Sequence, residues 1–268
     1  MRRAFMAAIV LSLAIAAPVA AAPPPNDEFT GAIEVSVGTT VTQDTEEATT
    51  DSFENSLNEF CGAPAVGGAV WFEFAPTESG FVAFNTEESD FSAGMIVTGD
   101  PPTPEGVLAC GPGNIAIDVA AGETYFIMAF GDGLTPATTG KLVFTVQEAV
   151  PPPDIDLTVD RNASVNRQGV VRLTGTVTCT SDDGSGEVVE IFGDLRQRVG
   201  RLVISGFFGT FVGTPCDGEA HAWEVFVAGD NGIFAGGKAA TVAIGVGCTD
   251  FCSEAFVEAT VQLKRSGK

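Results

Sequence analysis

His221 is the only histidine in 268 residues, so any chemistry that needs an imidazole must be built around it. A hydrolytic triad would require a nucleophile and an orienting acid close to it in space. Ser205 and Ser253 are the conceivable nucleophiles, but neither lies in a G-x-S-x-G elbow or an S-x-x-K motif. Read as a strand, EAHAWEVFV puts His221, Trp223, Val225 and Val227 on one face, which predicts packing rather than catalysis. A lone histidine also cannot make a two-histidine zinc centre. Paired-carboxylate hydrolysis is the other chemistry open to an acid-rich chain. Glu87, Glu88 and Asp90 close the run VWFEFAPTESGFVAFNTEESDF, yet nothing there would bury one of them and raise its pKa as a glycosidase acid requires. They read as solvated loop charges, and no catalytic residue is expected. Arg196, Arg198 and Arg201 form the one basic cluster. Arg196 and Arg198 share a strand face with Asp194, which predicts neutralisation within the sheet, or docking onto the acidic first half, over phosphate binding.

Six cysteines are the remaining reactive groups: Cys61 and Cys110, then Cys179, Cys216, Cys248 and Cys252. Even numbers on both sides of the proline segment AVPPPDID argue for disulfides within each half. Four cysteines allow three pairings. Cys179 with Cys216 and Cys248 with Cys252 is preferred, because CTDFC is short enough to close a small loop beside a strand end. The alternative is a four-thiolate zinc site, although paired C-x₂-C knuckles are missing.

The elements that would position these groups follow from pattern and charge. Two arginines precede an apolar run and a small-residue stretch ending near Ala22, so residues 1–22 read as a secretory leader. No later apolar run is long enough to span a membrane. From Pro23 to Pro153, 20 acids face the single base Lys141; from Asp154 onward, 15 acids face ten bases. That imbalance predicts two domains, 23–149 and 157–268, joined by a stiff proline-rich linker, 150–156. A net charge of −22 excludes nucleic acid and anionic lipid as partners.

Thirty-two glycines and fifteen prolines punctuate short apolar runs, and no helical period longer than two turns appears after the leader. The expected class is all-β, as two β-sandwich domains, jelly-roll-like and then immunoglobulin-like. Eight strands are expected in the first: 32–37, 39–43, 69–75, 81–85, 92–98, 115–119, 124–130 and 142–147. In VWFEFA, Val70, Phe72 and Phe74 share an apolar face, and Trp71 and Glu73 a mixed one. In the second, VVRLTGTVTC, TVAIGVGC and AFVEATVQL alternate cleanly, placing Val171, Leu173, Val177, Cys179, Val242, Ile244, Val246, Cys248, Val257, Ala259, Val261 and Leu263 on core faces. SDDGSGE, residues 181–187, reads as a hairpin turn.

PPNDEFTGA, AVWFEFAPTESGFVAFNTEESDFSAGMIVTGD, VLACG and VAAGETYFIMAFG resemble, in order, the segments of a bacterial pre-peptidase C-terminal domain over most of residues 24–147. The resemblance implies a non-catalytic jelly-roll-type sandwich that assists substrate attachment, localisation or maturation of secreted hydrolases. Some such domains bind calcium near the Asn-Asp opening, which implies a site at Asn26, Asp27 and Asp51, with Asp44, Glu46 or Glu47 as substitutes for the last. The upstream acids that complete it are replaced here by Pro23 to Pro25; the bland alternative is an Asx turn at Asn26 and Asp27. GVVRLTGTVTC, CDGEAHAW and CTDFC resemble, more loosely, an uncharacterised family of secreted bacterial β domains. Together these features predict a secreted, non-catalytic binding or adhesion protein that recognises an extracellular polysaccharide or protein surface. The alternative is an accessory or targeting subunit of a secreted protease or glycoside hydrolase.

Overall fold

The computed structural model describes residues 22–62 and 67–266; the expected leader, apart from Ala22, lies outside them. The protein is all-β and divides into two compact units, with the chain boundary between Gln147 and Glu148.

In the first unit the strands are β1 (Ile33–Val35), β2 (Thr40–Asp44), β3 (Val70–Phe74), β4 (Gly80–Asn85), β5 (Ala93–Gly99), β6 (Val107–Pro112), β7 (Asn114–Val119), β8 (Tyr125–Gly131) and β9 (Lys141–Glu148). They form two sheets, β1-β3-β8-β5-β6 and β2-β9-β4-β7. The expected alternation in β3 holds: Val70, Phe72 and Phe74 enter the core between the sheets, where Phe72 stacks on Phe144 at 4.0 Å and Phe74 meets Phe84 edge-on. β6, quoted only as VLACG, is a ninth strand at the sheet edge.

One expectation fails here. Residues Ser52–Cys61 form a helix, α1, of nearly three turns, where no helix of that length was expected. Its local determinants are a capping box, in which Asp51 and Glu54 accept each other's backbone N–H, and Gly62 at φ 68°, a left-handed position suited to glycine. Leu57 is fully buried beside Trp71, Ile96 and Met128, so α1 covers the outer face of β3, β8 and β5. Trp71 is therefore core, with α1 covering the face it shares with Glu73.

The second unit holds β10 (Asp154–Leu157), β11 (Asn162–Val165), β12 (Val171–Thr180), β13 (Glu187–Val199), β14 (Leu202–Pro215), β15 (Asp217–Val227), β16 (Gly237–Cys248) and β17 (Cys252–Arg265). β15 and β10 pair with β12 in one layer, β17, β16, β13 and β14 make the other, and β11 bridges them, antiparallel to β12 and parallel to β17. Two layers closed around Leu173, Val177, Ile191, Trp223 and Val261 give the expected immunoglobulin-like sandwich.

Two further expectations change. Residues 181–187 are not a hairpin turn, because β12 and β13 are not paired; the segment carries the chain from one layer to the other. Nor are residues 150–156 a free linker. Residues 154–156 belong to β10 and pair with β12. Val150 N–H donates to Asp250, and the hydroxyls of Thr249 and Ser253 donate to the carbonyls of Pro151 and Pro153. The prolines keep this segment extended and without N–H donors, so the turn after β16 bonds to their carbonyls.

Candidate functional site

All six cysteines are oxidised, as Cys61–Cys110, Cys179–Cys216 and Cys248–Cys252. The first fastens the end of α1 to β6, a role that spacing alone did not reveal. Among the described residues no group of three or more His, Cys, Asp or Glu side chains is placed to hold a metal ion.

The three residues nominated for calcium are engaged elsewhere. Asn26 is buried; its Nδ2 donates to the Trp71 carbonyl at 3.0 Å, and its Oδ1 accepts from Gln43 Nε2 at 2.6 Å. Asp27 accepts from the backbone N–H and the hydroxyl of Thr49, at 2.6 and 2.7 Å. Asp51 caps α1 by accepting from Glu54 N–H at 2.8 Å. Side-chain bonds made by Asn26 and Asp27 to residues far along the chain replace the local Asx turn. Because six to eight oxygens are needed and these are committed to protein donors, neither calcium nor EDTA is expected to move the thermal midpoint by more than about 1 °C. A larger rise with calcium in differential scanning calorimetry would restore the site.

His221 lies on the core side of β15, as expected, with Nε2 2.9 Å from Asp217 Oδ1. That hydrogen bond is the first cause holding the Asp217 carboxyl below its usual range. Ser205 faces outward from β14, while Ser253 donates to Pro153, so neither completes a triad with His221. Glu87, Glu88 and Asp90 are exposed between β4 and β5. Arg196 forms the expected in-sheet pair with Asp194, through Nε and Nη2, each at 3.1 Å.

The site that pattern reading did not name is the outer face of β17-β16-β13-β14. Register places four residues side by side in each of three rows: Glu254, Val246, Glu190, Phe211; Phe256, Ile244, Phe192, Gly209; and Glu258, Val242, Asp194, Phe207. Phe207, Phe211 and Phe256 are 65%, 84% and 62% exposed. Those three rings together present on the order of 400 Å² of surface, divided between β14 and β17 on either side of β13 and β16. Gly209 stands between Phe207 and Phe211, with the Phe207 ring, Phe192 and Glu190 packed around it. At one end a solvent-open depression of about 400 Å³ is lined by Asp194, Arg196, Ala240, Val242, Glu258 and Thr260. This also corrects the assignment of Val242, Ile244, Val246 and Cys248 to the core: Ala239, Thr241 and Ala243 point inward, and these four outward. In AFVEATVQL the inward positions are as expected, which leaves Phe256 on a face otherwise made of Glu254, Glu258 and Thr260. An aromatic among exposed acids was the available signal.

No family model and no curated protein matches the chain. Among solved structures, a Parabacteroides merdae β-glucuronidase aligns at 7% identity and TM-score 0.29, over 73% of this chain and 27% of the enzyme. A GH2 β-galacturonidase from Eisenbergiella tayi aligns at 10% identity and TM-score 0.21, over 73% of this chain and 35% of the enzyme. A Eubacterium rectale chain assigned as a secreted protein aligns at 9% identity and TM-score 0.27, over 88% and 83%. The protein thus spans about a quarter to a third of the two enzymes, and its function rests on its own residues.

Proposed function

We propose that this is an exported, non-catalytic binding protein that adheres to an extracellular polymer or surface through the outer face of β17-β16-β13-β14. The observation that carries it is the set of exposed phenylalanines on one sheet face, Phe207 and Phe211 on β14 and Phe256 on β17, since a folded chain leaves such rings in water only at a cost that a partner would relieve. Three disulfides support an extracellular setting. The first unit is proposed, on the residues quoted above, to be a pre-peptidase C-terminal-type sandwich.

The test is retention of the protein from Ala22 onward on chitin, cellulose, peptidoglycan and collagen, with and without EDTA, for wild type and for Phe207→Ala/Phe256→Ala. Wild type is expected to be held on one matrix and the double variant to bind about tenfold or more weakly, without loss of stability, because both rings are exposed. Retention on none, or equal retention of the variant, removes the proposal. A hydrolase activity lost in His221→Ala would replace it with an enzyme.

A further inference from the structure

We infer that the occupant of this face is a basic protein surface, one that presents apolar side chains alternating with lysine or arginine. The inference rests on the binding function proposed above and names the partner's class. Three features of the face select it.

The centre of the face is aliphatic. Val242, Ile244 and Val246 run down β16, with Phe256 and Phe192 on either side of Ile244. None of these side chains carries a hydrogen-bonding group. A saccharide laid across them would find acceptors only in the flanking carboxylates, and its hydroxyls over Val242, Ile244 and Val246 would lose water without a replacement partner, which is costly. Apolar side chains of a protein bring no such groups.

The charge is patterned as well. Down β17 the outward residues are Glu254, Phe256 and Glu258; down β13 they are Glu190, Phe192 and Asp194. Asp194 is matched by Arg196. Among the described residues Glu190, Glu254 and Glu258 make no ion pair, so three carboxylates border the apolar row uncompensated. Covering the face would strip their water, and the cost is offset only if the partner supplies cations opposite them.

The repeat is that of a strand. Acid, phenylalanine and acid follow at alternate positions, about 7 Å apart, the spacing of same-face residues on any extended partner. A basic–apolar–basic alternation therefore matches in both sign and step. A second copy of this chain does not: it would set the same carboxylates against each other on a chain of net charge −22.

The test uses fluorescence anisotropy of the protein from Ala22 onward with four probes. One is a disulfide-closed hairpin peptide alternating lysine with valine and phenylalanine on one face. The second carries glutamate for each lysine, the third serine for each apolar residue, and the fourth is a soluble chitin oligosaccharide. The lysine–apolar peptide is expected to bind about tenfold more tightly than the other probes, and more weakly in high salt. Glu254→Lys/Glu258→Lys should weaken it about tenfold, whereas Glu87→Lys/Glu88→Lys, in the other unit, should not. Equal binding of the serine peptide, indifference to Glu254→Lys/Glu258→Lys, or no binding by any probe overturns the inference. Preference for the chitin probe that is lost in Phe207→Ala/Phe256→Ala overturns it while leaving the adhesive function standing; retention on no matrix removes that function itself.

Discussion

Replacing Cys179 and Cys216 together with alanine is expected to lower the unfolding free energy of the second unit by about 4 kcal/mol. Both cysteines are buried, and the bond closes a separation of 37 residues. Cys179 lies near the end of β12, and Cys216 is the residue at which the chain leaves β14 in one layer and enters β15 in the other. Cutting the bond frees that corner and returns loop entropy to the unfolded chain. Cys248–Cys252 spans only four positions, so its removal should cost about 2 kcal/mol on the same account. Urea denaturation followed by fluorescence of Trp223, the second unit's tryptophan, measures both. Equal losses for the two bonds would contradict the loop-length explanation.

Glu54→Ala is expected to destabilise the first unit by about 3 kcal/mol. Glu54 is buried under α1, where Oε1 accepts from Trp71 Nε1 at 2.7 Å and Oε2 accepts from Asp51 N–H at 2.8 Å. Alanine leaves both donors without that partner and removes half of the capping box. Denaturation monitored through Trp71 checks the loss.

The same carboxyl makes a pH prediction. Burial, the largest influence, raises its pKa above 4.5, and the bonds from Trp71 and Asp51 oppose this only in part. From pH 4.5 upward through the raised value, the folded protein holds this proton more tightly than the unfolded chain. Its contribution to stability therefore falls as pH rises across that window. The stability of wild type relative to Glu54→Gln should decline over the same range; a relative stability that grows with pH would show that the two hydrogen bonds outweigh desolvation.

The contrast between these two sites shows what a linear pattern can carry. Parity and spacing of cysteines were enough for Cys179–Cys216, because a disulfide's existence depends on compartment and count. Nothing local announced that Glu54 would sit against Trp71. Asp51 and Glu54 were visible as acids, and D-x-x-E followed by glycine was a helix signature in plain view. A ten-residue polar helix is marginal alone, however. It exists because Leu57 is buried on the sheet and Cys61 is bonded to β6.

By itself the sequence determined the all-β class, the two-unit division and the core faces of β3, β12 and β17, and it favoured, among three, the cysteine pairing that forms; all of this follows from side-chain alternation, composition and counting. The tertiary structure alone decided that the proline segment docks on the turn after β16, that Asn26, Asp27 and Asp51 serve hydrogen bonds within the fold, and that β16 presents Val242, Ile244 and Val246 outward. It alone also assembled the phenylalanine face. Phe192, Phe207, Phe211 and Phe256 come from three strands, and only the register between β17, β16, β13 and β14 brings Phe192 and Phe256, more than sixty positions apart, into one row. A binding surface of this kind is a property of strand pairing, which no period along one strand contains.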